Sequence, residues 1–322
     1  MNRREFMKAG IAAAGGLVAV EALPDPAKYS NALKKGTPTG RLLSMSVNYI
    51  SLNIGPTRPF SIFHISDTHL KATTDADPQF VRDFVENRFA GWDPEDALAR
   101  SIAWAKFHRS DYVLHTGDLI DCATEGNLAI IRKYFGENAN LLYAPGNHDY
   151  ATTYAAPRNG QTEAEFRAVN TKRVQASVPV DMSFNSRIVN GVNIVMLDNV
   201  YGTVSEEKFE RFRAEAAKGL PIILAMHVPF FTEGIARAHD RAGGGPYPFE
   251  QNVVRAPGGN HRTQCTDKTT AAFIAYLKKE PLLKAILSGH FHISVSDRFS
   301  PTAVQYVAAA NFRYFGQEVL IF

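Results

Sequence analysis

The chain has 322 residues, 45% of them hydrophobic and 21% charged, the balance of a soluble enzyme able to bury a sizeable core. A formal charge of +3, with no Lys/Arg run, argues against a long nucleic acid as partner. Two cysteines, Cys122 and Cys265, are too few for a disulfide framework and lack the paired spacing of a structural zinc site.

Those two cysteines are open to two readings, one disulfide or two separate buried thiols, because sequence does not give their separation. At the N-terminus Arg3 and Arg4 stand together ahead of Phe6 and Lys8, and a weakly apolar, Ala/Gly-rich stretch runs from Ala9 to Val20. This resembles a twin-arginine export signal, with Val20-Glu21-Ala22 as a small-residue cleavage site. A bilayer core of about 30 Å needs roughly 20 apolar residues, so no permanent membrane anchor is expected. The resemblance implies residues 1–22 as signal peptide, the twin-arginine machinery as partner, and a periplasmic or otherwise exported location. Residues 23–40, with three prolines and two glycines, read as a flexible linker.

From residue 41 onward the pattern predicts a single domain in which short apolar strands alternate with helices. Strands are expected over 47–54 and 60–65, the second leading into Asp67-Thr68-His69. A helix opens at Asp93-Pro94-Glu95-Asp96, with a capping Asp, Pro in the first turn and acids at the positive end of the dipole. It runs to about 108 and returns to a strand over 112–116, which leads into Gly117-Asp118-Leu119-Ile120-Asp121. A helix over 126–135 and a strand over 141–144 precede Gly146-Asn147-His148-Asp149. After a polar helix over 162–175, strands over 183–189 and 192–197 flank Asn190-Gly191, a strong hairpin signal, so antiparallel pairing is expected as well. Ser205 caps a helix that stops at Gly219, and a buried strand over 222–225 leads to His227. A long loop insertion follows at about 230–267, with no period and two glycine-rich tracts. A helix over 268–279, a strand over 285–287, Gly289-His290-Phe291-His292 and three strand-like runs ending at 318–322 complete the chain.

Each motif places an oxygen or imidazole donor just past a strand, which is how a metal site is assembled at a sheet edge. Two cations about 3.5 to 4 Å apart need a carboxylate that touches both, together with donors that leave room for water and substrate. Asp118, flanked by Gly117, suits the bridging role. Asp67, His69 and His292 would complete one shell, and Asn147, His227 and His290 the other. Carboxylate and imidazole without thiolate point to two divalent or trivalent ions such as manganese, iron or zinc.

In that order the motifs resemble the calcineurin-like metallophosphoesterase family over residues of about 60 to 310. The resemblance implies an α/β fold, a four-layer αββα sandwich of two mixed β-sheets flanked by helices, and hydrolysis of phosphate esters by a metal-bridging water or hydroxide. It also implies His148 as the proton donor to the leaving oxygen, with Asp149 beside it to orient the imidazole. Asp121 stands where purple acid phosphatases carry a ligating tyrosine, which argues against an iron–tyrosinate centre and for a supporting acid.

Other readings are blander. His64 and His115 sit inside strands and are expected to be packed, while His108 and His239 are expected to be solvated. Trp104 falls on a helical face expected to be core, whereas Trp92 is open between packing and stacking a base or sugar. Arg237, Arg241, Arg255, His261 and Arg262 in the long loop, and Asp75, Asp77 and Arg82 after the first motif, are candidates for substrate contact. The expected partner is a small phosphorylated substrate, either a monoester or a diester. Nucleotide, phospholipid and sugar-phosphate phosphodiesters are alternatives, and a non-catalytic binding protein of the same fold is the reading from another class.

Overall fold

The computed structural model describes residues 45–89, 91–136, 140–151, 163–243 and 267–322. The expected signal, linker, Cys265, Arg255, His261 and Arg262 lie outside the described residues.

Two mixed sheets form the centre. The first has five strands in the order β1 (Ser46–Leu52), β11 (Phe315–Ile321), β2 (Phe60–Ile65), β3 (Tyr112–His115) and β4 (Leu141–Tyr143). The second has six in the order β5 (Phe184–Val189), β6 (Val192–Leu197), β7 (Ile222–Ala225), β8 (Leu283–Ser288), β10 (Val304–Val307) and β9 (Val295–Arg298). Strands β2, β3 and β4 run parallel in one sheet, and β6, β7, β8 and β10 in the other.

Alternation along the strands builds the layers. Phe60 and Ile62 of β2 join Leu114, Ile194, Met196, Ala225 and Leu287 in the core between the sheets. Their neighbours Phe63 and Ile65 turn outward and pack with Leu98, Leu128 and Ile131. Those residues come from helices α2 (Pro94–His108) and α3 (Glu125–Phe135), which follow α1 (Gln79–Glu86) in the chain. On the other side Val195 and Leu197 pack with Phe212 and Phe273. Phe212 belongs to α6 (Glu206–Ala216) and Phe273 to α8 (Lys268–Leu277); between α3 and α6 lie α4 (Asn147–Tyr150) and α5 (Glu163–Gln175). Each such side chain contributes about 1.5 to 3 kcal/mol by leaving water. The result is the four-layer αββα sandwich.

Local signals act as expected at several ends. Asp93 accepts a hydrogen bond from the Asp96 N–H, and Ser205 from the Lys208 N–H. Asn190 and Gly191 both have positive φ, 48° and 82°, as a two-residue type I′ turn requires between β5 and β6.

Some expectations are corrected. The loop at 230–267 contains a nine-residue helix, α7 (Glu233–Arg241), capped by Thr232 and burying Ile235, Ala236 and His239. His239 is therefore not solvated; its ring lies 4.9 Å from that of Phe291. His108 is half-buried and stacks on Trp104 at 4.0 Å. Helix α1 falls in a segment for which the sequence predicted no element.

Candidate metal centre

The seven predicted donors follow the C-terminal ends of parallel strands: Asp67 and His69 after β2, Asp118 after β3, Asn147 after β4, His227 after β7, His290 and His292 after β8. That is where an α/β sheet presents loops to a ligand. Backbone bonds tie the loops together: the Asp67 N–H donates to the Gly117 carbonyl at 2.9 Å, His69 to Asp118 at 2.9 Å, and Gly289 to His227 at 3.0 Å.

The turns are tight. Asp67, His69, Asp118, His290 and His292 all adopt left-handed backbone, with φ between 50° and 73°. Non-glycine residues rarely hold that conformation, and clusters of it mark sites where the surrounding structure imposes strain. Glycine is needed beside them: a Cβ on Gly289 would collide with Ser66 Oγ and Asp67 Oδ2, and one on Gly146 with Asp118 Oδ1.

Six of the donors gather into two groups, which a third group of His69, Asp118 and His148 joins. Asp67, His69 and His292 bring ligand atoms within 4.8 Å of one another, as do Asp118, His227 and His290. Each carboxylate uses one oxygen to hold backbone: Asp67 Oδ2 accepts the His290 N–H at 2.8 Å, and Asp118 Oδ1 accepts the His148 N–H at 2.8 Å. The second oxygens point inward. Asp118 Oδ2 lies 3.2 Å from His227 Nε2, 3.7 Å from His69 Nε2 and 4.0 Å from His148 Nε2, between the two groups. Asp67 Oδ1 and Asn147 Oδ1 are buried and take no hydrogen bond among the described residues.

These donors fit cations. His69 Nε2 and His292 Nε2 stand 3.1 Å apart, and so do His227 Nε2 and His290 Nδ1. Two donors at about 2.1 Å from a shared ion are separated by about 3.1 Å at near-right angles. The far side of His227 faces the Thr116 carbonyl at 2.7 Å, and that of His69 faces Asp121 Oδ1 at 3.1 Å, so both Nδ1 atoms donate and both Nε2 atoms keep their lone pairs. Burial opposes charge on Asp67 and Asp118, and positive charge among the neighbouring imidazoles, carried by their protons where no cation is bound, outweighs it and holds both carboxyls below their ordinary value.

Asp121 has a role the motif only outlines. Its Oδ1 lies 3.1 Å from Nδ1 of both His69 and His148, and Arg88 clamps the carboxylate through Nε at 2.8 Å and Nη2 at 3.0 Å. Burial works against a charged His148, yet Asp118 and the bond to Asp121 push its pKa up to about 9. Asp149 is used differently from expectation. Its carboxylate accepts the backbone N–H groups of Gly146 at 2.7 Å, Asp118 at 2.9 Å and Ile120 at 3.2 Å, shaping the metal-binding turns while Asp121 holds the imidazole. Arg88 carries no signal in the sequence, since it lies 33 residues before Asp121, outside any motif.

His64 and His115 are buried, as read: His64 bonds Gln317 and Thr116, His115 bonds Thr68, and burial lowers their pKa values to about 4 and about 3. The other substrate-contact candidates do not converge on the centre. Asp77 accepts the Thr74 and Glu125 N–H groups, while Arg82 and Arg237 are paired on the surface with Asp75 and Glu233. Cys122 is buried, and burial pushes its thiol up to about 12.

Residues 60–294 match a family model described as calcineurin-like phosphoesterase. No match was found among curated protein sequences. Among solved structures, a dimetal phosphatase from Danio rerio superposes with a TM-score of 0.49 at 13% identity, covering 80% of this chain and 89% of that one. A phosphopantetheinyl hydrolase from Mycobacterium tuberculosis gives 0.38 at 15% identity, with 79% and 91% covered. A 5′-nucleotidase from Candida albicans gives 0.40 at 12% identity, with 83% and 47% covered, so this chain spans about half of it.

Proposed function

The chain belongs to the calcineurin-like phosphoesterase family and is a hydrolase acting on phosphoric esters, and on that premise we propose that it cleaves small phosphomonoesters or phosphodiesters at a dinuclear metal centre. The observation that carries the reading is the position of Asp118 Oδ2, buried between the two imidazole groups as a bridging oxygen must be. Asp67, His69 and His292 would hold one cation, Asn147, His227 and His290 the other, and Asp118 both. When bound, two cations neutralise phosphoryl oxygens and lower the pKa of water toward about 7.

The remaining groups act on protons and alignment. His148 presents Nε2 toward the centre while Nδ1 is held by Asp121, so it is placed to protonate the leaving oxygen. Asp121, with Arg88 behind it, keeps His148 and His69 at the angles their separate tasks need. Asp149 keeps the Asp118 and Gly146 turns closed. We place one catalytic domain from residue 41 onward, since the donors of a single site run from Asp67 to His292, and a periplasmic or otherwise exported location on the strength of the twin-arginine pattern in residues 1–22.

The test is hydrolysis of nitrophenyl phosphate and bis-nitrophenyl phosphate by the mature chain, chelated and then reloaded with Mn²⁺. Turnover should return with metal and fall by at least about a thousandfold in Asp118→Asn. Inactivity of the wild type toward both esters across manganese, iron and zinc would overturn the proposal.

A further inference from the structure

A chain of aromatic rings leads away from the candidate centre and ends in solvent. The Phe312 ring lies 5.8 Å from His69 and 5.4 Å from His292, and Phe89 lies 4.8 Å from His69 and 4.4 Å from Phe312. Beyond them Trp92 sits 5.9 Å from Phe312 and 6.4 Å from Tyr314. Trp92 is 40% exposed, while Phe312 beneath it is 1% exposed. Among the described residues it is the exposed large apolar side chain that ring contacts connect to the metal donors.

The backbone is bent to put these rings there. Phe89 and Tyr314 hold left-handed φ values of 49° and 62°, which bulky side chains rarely adopt. The Trp92 N–H donates to the Phe89 carbonyl at 3.0 Å and closes the turn that carries both rings, with Gly91 at φ 85° within it. Cations brace two of the rings: the Arg88 guanidinium lies 4.6 Å from Phe89 and that of Arg100 lies 4.8 Å from Tyr314. Exposed tryptophan on a strained, braced turn is poor packing for its own sake and good presentation of a flat surface.

We infer that Trp92, backed by Phe89 and Phe312, is a stacking subsite for the planar base of a nucleoside phosphate whose phosphoryl group lies at the metal centre. The spacing selects this class. One whole ring, Phe312, separates Trp92 from the imidazoles of His69 and His292. A phenyl ester, with its ring on the bridging oxygen, would stop short of Trp92; a nucleoside phosphate interposes a sugar and reaches it. The subsite rests on the proposed phosphoesterase reading and names its substrate class.

The experiment compares adenosine 5′-phosphate with ribose 5-phosphate, which lacks only the base, on the Mn²⁺-loaded chain. In Trp92→Ala, kcat/KM for the nucleotide should fall about tenfold through KM, the order expected of one base–aromatic stack, while ribose 5-phosphate is cleaved as by wild type. Trp92→Phe should retain most of the preference. Binding is read separately in the Asp118→Asn background, where adenosine 5′-phosphate should quench tryptophan fluorescence with Trp92 present and not in Trp92→Phe, which leaves Trp104 as the reporter. An unchanged nucleotide-to-sugar ratio in Trp92→Ala, equal loss on both substrates, or identical quenching in both proteins would overturn the subsite. Wild-type inactivity toward both esters with quenching intact would instead overturn the phosphoesterase reading and leave the subsite standing.

Discussion

Asp121 shows how one side chain can couple two chemical tasks. A single carboxylate oxygen faces Nδ1 of His69, a candidate metal donor, and Nδ1 of His148, the proposed proton donor, while Arg88 grips both oxygens from the other side. Burial alone would neutralise the acid, but the bonds from His148, His69 and Arg88 keep it ionised. Asp121→Asn preserves volume but removes the charge and sets an NH2 donor where either Arg88 or the imidazole Nδ1–H groups need an acceptor, so kcat should fall about 10- to 100-fold. Arg88→Lys replaces a two-point fork by a point charge and should fall between wild type and Asp121→Asn. Steady-state kinetics with Mn²⁺ titration checks this: loss confined to kcat and metal affinity supports the coupling, and loss confined to KM refutes it. The Gly-Asp-x-x-Asp spacing marked Asp121 as a supporting acid, yet which imidazole it supports depends on the turn geometry around Gly146, and that turn consumes the Asp149 carboxylate in backbone bonds.

At the scale of elements, what is encoded locally is legible. The Asn-Gly turn, the Asp93 and Ser205 caps and the fully buried strands β6 and β7 need only a few adjacent residues to declare themselves. Helices α1 and α7 do not. In α7 the buried Ile235, Ala236 and His239 occupy a narrow stripe ahead of glycine-rich sequence, and the fold that covers the stripe comes from Phe291, over fifty residues later in the chain. Asp198, just past β6, carries no local signal either. It pairs with Lys208 of α6 at 2.9 Å and Arg167 of α5 at 3.2 Å, and accepts the Tyr150 hydroxyl at 3.3 Å, joining three helices to one strand end. Burial raises its pKa, but the charges of Lys208 and Arg167 more than offset this, leaving it below the usual 3.8. Its stabilisation is thus present above pH 3.8 and fades as pH falls through the lower folded value. Asp198→Asn strands Lys208, 7% exposed, without its counter-charge, so about 3 to 5 kcal/mol should be lost at pH 7 and less near pH 3. Urea unfolding at both pH values measures the two gaps; gaps of equal size would show that the ion pair is not their source.

Across the whole molecule, the centre exists only when both sheets are in place. Asp67, His69, Asp118 and Asn147 follow strands of the five-stranded sheet, and His227, His290 and His292 follow strands of the six-stranded one. The left-handed backbone at five of these donors is imposed by the loops bonding across to one another, such as Gly289 to His227 and Asp67 to Gly117. An unfolded chain therefore carries the donors as isolated side chains spread from residue 67 to residue 292, with no site for a cation pair. A chain threaded unfolded through a membrane would have to select its metals outside, where ions compete by affinity order alone. Export after folding lets the metals be chosen inside the cell, and the adjacent Arg3 and Arg4 ahead of an apolar stretch fit that route. Among the described residues no helix is long and apolar enough to cross a membrane. Replacing both residues, Arg3→Lys with Arg4→Lys, should keep the charge, block export, and leave folded, metal-loaded, active enzyme in the cytoplasm. Cell fractionation with activity and elemental analysis of each fraction decides the matter: undiminished export of the double variant excludes the twin-arginine route, and a cytoplasmic variant that lacks metal until chelator-treated and reloaded excludes loading before export.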